Sequence, residues 1–375
     1  ANAVYEHRPL RDGDRIEVGN IALDVFHTPG HRPEHCCLVV SDRTRSEEPW
    51  LVLSGDALFV GDSGRPDLAV AGDEGAAALY RSLHERLGGL DGGVELFPGH
   101  VAGSLCGRGM SAKPSSTLGY ERRFNPMLAE MSVEQFVKLA NADLAPKPPT
   151  MARVVELNRG PLLGTPPVLR TVAQPAAGAQ LLDVRDGAHF ADGHMAGSLN
   201  DSAASPGFGN RCGFALDPDR EVVIVAATHE QAEDAARKLA AVGFTQLAEI
   251  GFGLDAAHSL ERFEPIGLEQ MGLLAARGEL QVVDVREASE QTELAAGALT
   301  VPYRLLAGAE LPGLDPERPT AVVCHTGVRS PLAASLLARR GFTHVRPVLG
   351  EGMGAWHAPE LSPDPAPQPA VVASD

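Results

Sequence analysis

The chain has 375 residues, 44% of them apolar, which is enough for two or three domains and more than one hydrophobic core usually serves. A formal net charge of −17 excludes nucleic acid or an anionic membrane surface as the main partner, because either would need a basic face that releases counterions. There is no run of about 20 apolar residues and no charged-then-apolar leader, so the expectation is a cytoplasmic protein without a membrane span.

The five cysteines, Cys36, Cys37, Cys106, Cys212 and Cys324, are odd in number and include no Cys-x-x-Cys pair. They read as reduced thiols, since neither a disulfide framework nor a structural zinc site fits.

In chain order, the first unit predicts short strands at "IALDVF", "HCCLVV", "PWLVLSGD" and "VELFPGH", with helices at 74–89 and 132–141. Ser132 followed three residues later by Gln135 is a capping-box signature. His31 follows a Pro-Gly turn after the first of these strands, Asp56 ends another, and His100 closes "LFPGH". Each alone reads as a turn-capping or core polar group, but three on successive strand ends point to a site. Imidazole and carboxylate suit iron or zinc. Cys36 and Cys37 are adjacent in a strand and face opposite ways, which reads as core packing. Arg65 in "GRPD" suits either a substrate carboxylate or a loop salt bridge.

Proline-rich stretches at 143–152 and 160–170 read as extended linkers. Beyond them the sequence nearly repeats itself. "QLLDVRDGAHF" (180–190) is answered by "LQVVDVREASE" (280–290), and each copy then runs through an apolar strand, a short loop and a helix to a Gly-Phe pair. Counting back the same distance from Gly341 and from Gly243 reaches Cys324 and Ala226, so one copy lacks the thiol. Strands alternating with helices at this spacing imply parallel sheets covered on both faces.

Cys324 ends a strand, and a helix begins near Ser330. Gly327 permits a loop whose backbone N–H groups point inward, the helix start adds partial positive charge, and Arg329 is placed to assist as a fixed cation. That setting suits a reactive thiol and an anion, against the bland reading of a buried structural cysteine. His194 and His229, in the thiol-free copy, read as structural.

With "VVDVRE", Cys-x-x-Gly-x-Arg-Ser and "GEGMGAW" (350–356), residues 170–360 resemble two tandem rhodanese domains, bounded at 168–264 and 265–362. The resemblance implies that Cys324 carries a persulfide, with Gly327, Arg329 and Ser330 in the catalytic loop and His325, Thr326 and Val328 lining the substrate cradle. It leaves the Ala226 copy as scaffold or regulatory surface. Cysteine phosphatases usually use Cys-x5-Arg to encircle a tetrahedral oxyanion. The Cys-x4-Arg found here suits a terminal sulfur better. The second copy departs from the usual pattern at "TELAAGAL". A Pro-rich tail, 363–375, reads as disordered.

"TPGH", "SGDALFVGDSGRPDL" and "PGHVAGSLCGRGMSAKPSSTLGYERRFNP" resemble the persulfide dioxygenase branch of the metallo-β-lactamase superfamily, covering residues 1–160. The implied fold class is α/β: the C-terminal part of an αββα sandwich, then two rhodanese-like domains. By that resemblance Fe(II), with zinc as the alternative, is held by His31 and Asp56, with His100 beside them and Arg65 facing substrate. The family's His-x-His-x-Asp-His motif, source of the remaining ligand histidine, is absent from these 375 residues. The expectation is a preceding segment of about 100 residues in the natural protein, roughly half a domain. Without it the dioxygenase would be defunct and half a sandwich would expose an apolar face.

The implied activity is sulfide detoxification: oxidation of a thiol persulfide to sulfite with dioxygen, plus transfer of sulfane sulfur among persulfide, thiosulfate and sulfite. The rivals are a zinc thioester hydrolase of the glyoxalase II kind and a non-catalytic persulfide carrier or sensor. A homo-oligomer is compatible with the exposed face.

Overall fold

The computed structural model describes residues 3–101, 106–107, 109–142, 144, 146–160, 168–250 and 260–357. The chain divides into two compact units, 1–147 and 148–375. The expected disordered tail and the centre of the second linker lie outside the described residues.

The first unit is built on one six-stranded sheet, in the order Arg15–Val18, Ile21–His27, Cys36–Asp42, Leu51–Gly55, Glu95–Pro98, Ser116–Thr117. The strands run antiparallel except Leu51–Gly55 and Glu95–Pro98, which are parallel and joined by a helical crossover. Its core gathers Val39, Val52 and Leu96 from the sheet with Leu79, Leu83 and Phe136 from the helices. Ser132 and Gln135 close the expected capping box on helix Val133–Ala140. The stretch 74–89 is not one helix. It is an α-helix at Gly72–Tyr80, a wider π-turn at Arg81–Arg86 and a 3-10 turn at Leu87–Gly89. Contacts from outside supply the reason: Ser82 Oγ donates to the Pro29 carbonyl at 2.7 Å, and Arg122 Nη2 gathers the carbonyls of Leu87, Gly88 and Leu90. Val18, Trp50 and Leu53 of the sheet region are 63%, 43% and 39% exposed, so part of its surface is apolar and in water.

Within the second unit, a helix at Met151–Arg159 forms between the two proline-rich stretches, and its Arg153 pairs with Asp219 at 2.7 Å. The two repeats follow as parallel sheets. One has the order Leu199–Asn200, Gln180–Asp183, Val222–Val225, Leu247–Ile250, Arg170–Val172; the other runs Leu299–Thr300, Gln281–Asp284, Thr320–Val323, Val345–Pro347. Val222–Val225 and Thr320–Val323 are buried throughout, as central parallel strands should be. Side chains of both copies, Leu182, Ile224 and Leu239 from one and Val283, Val322 and Leu337 from the other, form one continuous core. No helix among the described residues is long and apolar enough to cross a membrane.

Candidate metal site and candidate thiol site

The sheet of the first unit brings His31, Asp56 and His100 to one edge. His31 lies in the loop between Ile21–His27 and Cys36–Asp42, Asp56 follows Leu51–Gly55, and His100 follows Glu95–Pro98. The Gly99 N–H donates to the Gly55 carbonyl at 2.8 Å, and a Cβ on Gly99 would stand 2.7 Å from Asp56 Oδ1. His31 Nε2 is 3.2 Å from Asp56 Oδ2, and His100 Nδ1 is 3.2 Å from Asp56 Oδ1. Burial pushes the Asp56 carboxyl up, but the hydrogen bond and charge of His31 and the charge of His100 outweigh it and hold it low.

Two residues that sequence reasoning passed over belong to the same cluster. Cys106 offers its sulfur so that one ligand atom each from His31, Asp56 and Cys106 lie within 4.8 Å of one another. His35 Nε2 accepts from the Asp56 N–H at 3.0 Å, and burial depresses its basicity. The donor set fits a metal ion. His31 Nδ1 lies 3.1 Å from the Arg65 carbonyl, which fixes it as the N–H and leaves the Nε2 lone pair aimed at a carboxylate. A cation, whether proton or metal, is what such an arrangement accepts. Arg65 itself is buried, and its fork is bound to Asp67 at 2.7 and 2.8 Å, the loop salt bridge of the two readings. Cys36 and Cys37 do face opposite ways; Cys37 is fully buried, and burial pushes its thiol up to about 12.

In the second unit Cys324 ends its strand, fully buried, and its Sγ accepts the N–H of Gly327 at 3.2 Å and of Arg329 at 3.3 Å. Gly327 has φ +83°, and a Cβ there would stand 2.7 Å from the Glu351 carbonyl. The "GEGMGAW" segment clasps the loop from outside, Met353 N–H donating to the Cys324 carbonyl at 2.8 Å and Gly354 N–H to that of His325 at 2.9 Å. His325, Thr326 and Val328 are exposed at the rim, while Ser330 is buried at the start of helix Ser330–Arg339.

Arg329, expected as a fixed cation assisting the loop, has its fork turned to a carboxylate. Its fork makes two 2.7 Å bonds to Glu290, whose carboxyl burial would raise but the Arg329 bonds hold low. Sequence reasoning missed Glu290, although it stands four residues beyond the "DVR" whose Arg286 donates to its carbonyl at 2.7 Å. The Asp-Val-Arg repeat is structural: Asp284 and Arg286 pair in the interior, as Asp183 and Arg185 do in the other copy. There Gln231, in the place of Arg329, folds back so that its Oε1 accepts the Ala227 N–H at 2.8 Å, beside a cavity of about 270 Å³ lined by Ala226, Met195 and Ile250. His194 and His229 are held by neighbours, His194 by the Phe190 carbonyl at 2.9 Å and His229 by Glu249 at 2.8 Å.

Comparison with known proteins agrees with this architecture. A rhodanese-like domain family matches residues 269–359. The mitochondrial persulfide dioxygenase ETHE1 of Bos taurus is 33% identical over 159 residues, 42% of this chain and 55% of that protein. An uncharacterized protein of Mycobacterium leprae is 41% identical over 118 residues, 32% of this chain and 45% of that one. Among solved structures, a metallo-β-lactamase from Staphylococcus aureus subsp. aureus COL aligns with a TM-score of 0.57 at 29% identity, covering 64% of this chain and 69% of that one. The chain spans about half the length of the curated relatives it matches. It is an α/β protein that joins a metallo-β-lactamase-fold region to rhodanese. The region ahead of the rhodanese is ETHE1-like.

Proposed function

We propose that the chain is a persulfide-metabolising enzyme of the cytoplasm with two centres, a metal-dependent dioxygenase site around His31 and Asp56 and a sulfurtransferase site at Cys324. The observation that carries the reading is the pair of backbone N–H groups converging on Cys324 Sγ at the mouth of a parallel sheet.

At the first centre, His31 and Asp56 would hold Fe(II), or zinc as the alternative, with Cys106 as a further donor within reach. Bound iron would supply open positions where dioxygen and a persulfide sulfur meet, the product being sulfite. The chain's own part is orientation: the Arg65 carbonyl fixes the His31 tautomer, and His100 and the His35 ring hold Asp56 in place.

At the second centre, the Cys324 thiolate attacks the outer sulfur of thiosulfate. The S–S bond breaks, sulfite leaves with the electron pair, and the cysteine carries the sulfur as a persulfide. A nucleophile such as a thiol, cyanide or sulfite then takes that sulfur and returns the electron pair to Sγ. The N–H groups of Gly327 and Arg329 stabilise the charge on sulfur at both ends of the cycle. Glu290 holds Arg329, and so the loop, in register.

Two measurements test the reading: thiocyanate formation from thiosulfate and cyanide, and persulfide-dependent oxygen uptake after anaerobic iron loading. Both activities are expected. Sulfur exchange without oxygen uptake would reduce the protein to a carrier or transferase, and oxygen uptake without exchange would remove Cys324 from the account.

A further inference from the structure

We propose that Arg304 is a specificity-determining residue of the Cys324 centre, selecting sulfur compounds that end in an oxyanion, such as sulfite and thiosulfate. The proposal rests on the sulfurtransferase reading and names the substrate class of that site.

Arg304 follows the edge strand Leu299–Thr300. The Tyr303 N–H donates to the Val285 carbonyl at 3.1 Å, and the Val285 N–H to that of Val323 at 2.9 Å, so a single strand separates Tyr303 and Arg304 from the strand that ends at the thiol. The Arg304 guanidinium carbon is 5.4 Å from the centre of the Tyr303 ring, and that of Arg329 is 6.0 Å from the same ring. Two guanidinium groups therefore lie against one ring, and the backbone N–H of one of them, Arg329, is bonded to the Cys324 sulfur. Their donors differ in use. The Arg329 fork is taken by Glu290, whereas the Arg304 side chain, only 9% exposed, has a buried Nη1 with no hydrogen-bond partner. Its Nε donates to the Tyr303 hydroxyl at 3.3 Å and faces Glu287 Oε1 at 3.4 Å, an ion pair in which that oxygen accepts no hydrogen bond. Burial pushes the Glu287 carboxyl up, against the pull of Arg304 and Arg329. A buried guanidinium with an unused N–H is a costly arrangement unless an oxyanion completes it.

The thiol-free copy supplies the control. There the Ala203 N–H donates to the Val184 carbonyl at 3.1 Å, as Tyr303 does to Val285. Ala203 and Ala204 thus occupy the places of Tyr303 and Arg304, and Ala226 the place of Cys324. The same sheet folds without the ring and the cation, so Arg304 is not a requirement of the fold, and ring, cation and thiol are missing together. That copy contributes to the centre all the same: Phe214, from its helix Phe208–Ala215, stands 5.6 Å from the Arg304 guanidinium and edge-on to Tyr303. In the transfer itself the sulfite lone pair attacks the outer sulfur of the Cys324 persulfide, the S–S bond breaks, and the electron pair returns to Sγ. Arg304 would meet the three oxygens while the loop N–H groups hold the departing thiolate.

The test compares alkylation of Cys324 by iodoacetate and by iodoacetamide in the full chain, read at the Cys324 peptide by mass spectrometry. Both reagents need the same access, so their rate ratio reports the charge beside the sulfur. R304Q is expected to lower the ratio about threefold to tenfold, as removal of one nearby cation in a partly buried setting should, and to raise the KM for thiosulfate. R304K is expected to recover most of the ratio, and E287Q to raise it above wild type. A ratio within twofold of wild type in both R304Q and E287Q overturns the proposal, and E287Q alone decides should R304Q fail to fold. The ratio is readable whether or not the chain transfers sulfur, so absent thiocyanate formation by the wild type would overturn the sulfurtransferase reading on separate evidence.

Discussion

Cys324 and Ala226 occupy the same place in two copies of one sheet, and the loops around them have settled differently. Around the thiol, backbone N–H groups face the sulfur; around the alanine, Gln231 accepts the Ala227 N–H. Cys324→Ala should therefore fold normally and lose thiocyanate formation entirely, with an unchanged melting temperature as the check. Gly327→Ala should cost about 1–2 kcal/mol for the positive φ alone, with more from crowding against Glu351, and should lower transfer activity and melting temperature together. At the other centre, His31→Ala or Asp56→Ala should abolish iron retention, measured by metal analysis of the loaded protein, while thiocyanate formation persists. These candidates stand out in the sequence because each follows a recognisable strand or opens a glycine loop. Cys106 and Glu290 were not. Their partners are set by loops that fold back in space, and nothing in local spacing says that Cys106 reaches Asp56 or that Glu290 takes Arg329.

Element-level order was read well where the signal is local. The Ser132–Gln135 box caps its helix as expected, and Ser132→Ala should cost about 1 kcal/mol, visible as a lower thermal midpoint of the first unit. The stretch 74–89 broke into three helical pieces because Ser82 and Arg122 bond to groups far along the chain, a tertiary effect that propensity cannot carry. Two histidines give the elements a pH dependence. His84 is stacked on Tyr80 with Nε2 at the Met127 carbonyl, His194 is stacked on Phe190, and burial lowers the pKa of both. The folded state thus holds them neutral while the unfolded chain binds protons from about pH 6.5 downward. Below that value the unfolded state takes up more protons, so stability is full above pH 6.5 and falls as the medium is acidified toward the folded values. Thermal midpoints between pH 8 and pH 5 should show this slope, and a His194→Asn variant should flatten it in the second unit.

For the whole molecule, the repeat register gave away both parallel sheets, and the strand ends gave away the edge of the first sheet where His31, Asp56 and His100 meet. The sequence did not show that the two repeats share one core. Alternation and apolar runs tell that a face is covered and are silent on what covers it. Leu239 lies in the thiol-free copy and Leu337 in the other, and both belong to the same cluster. Leu239→Ala should cost about 2–5 kcal/mol and expose Cys324 to alkylation at a lower temperature, although the two residues belong to different copies. The rate of Cys324 labelling against temperature is the measurement, and a wild-type profile would mean that the copies melt apart. A common core ties the fate of the copy that carries Cys324 to that of the copy that lacks the thiol. With sulfur transfer at Cys324 as proposed, damage to the thiol-free copy would register as loss of that reaction, and a genetic screen that scored only sulfur transfer would return lesions on both sides of the duplication.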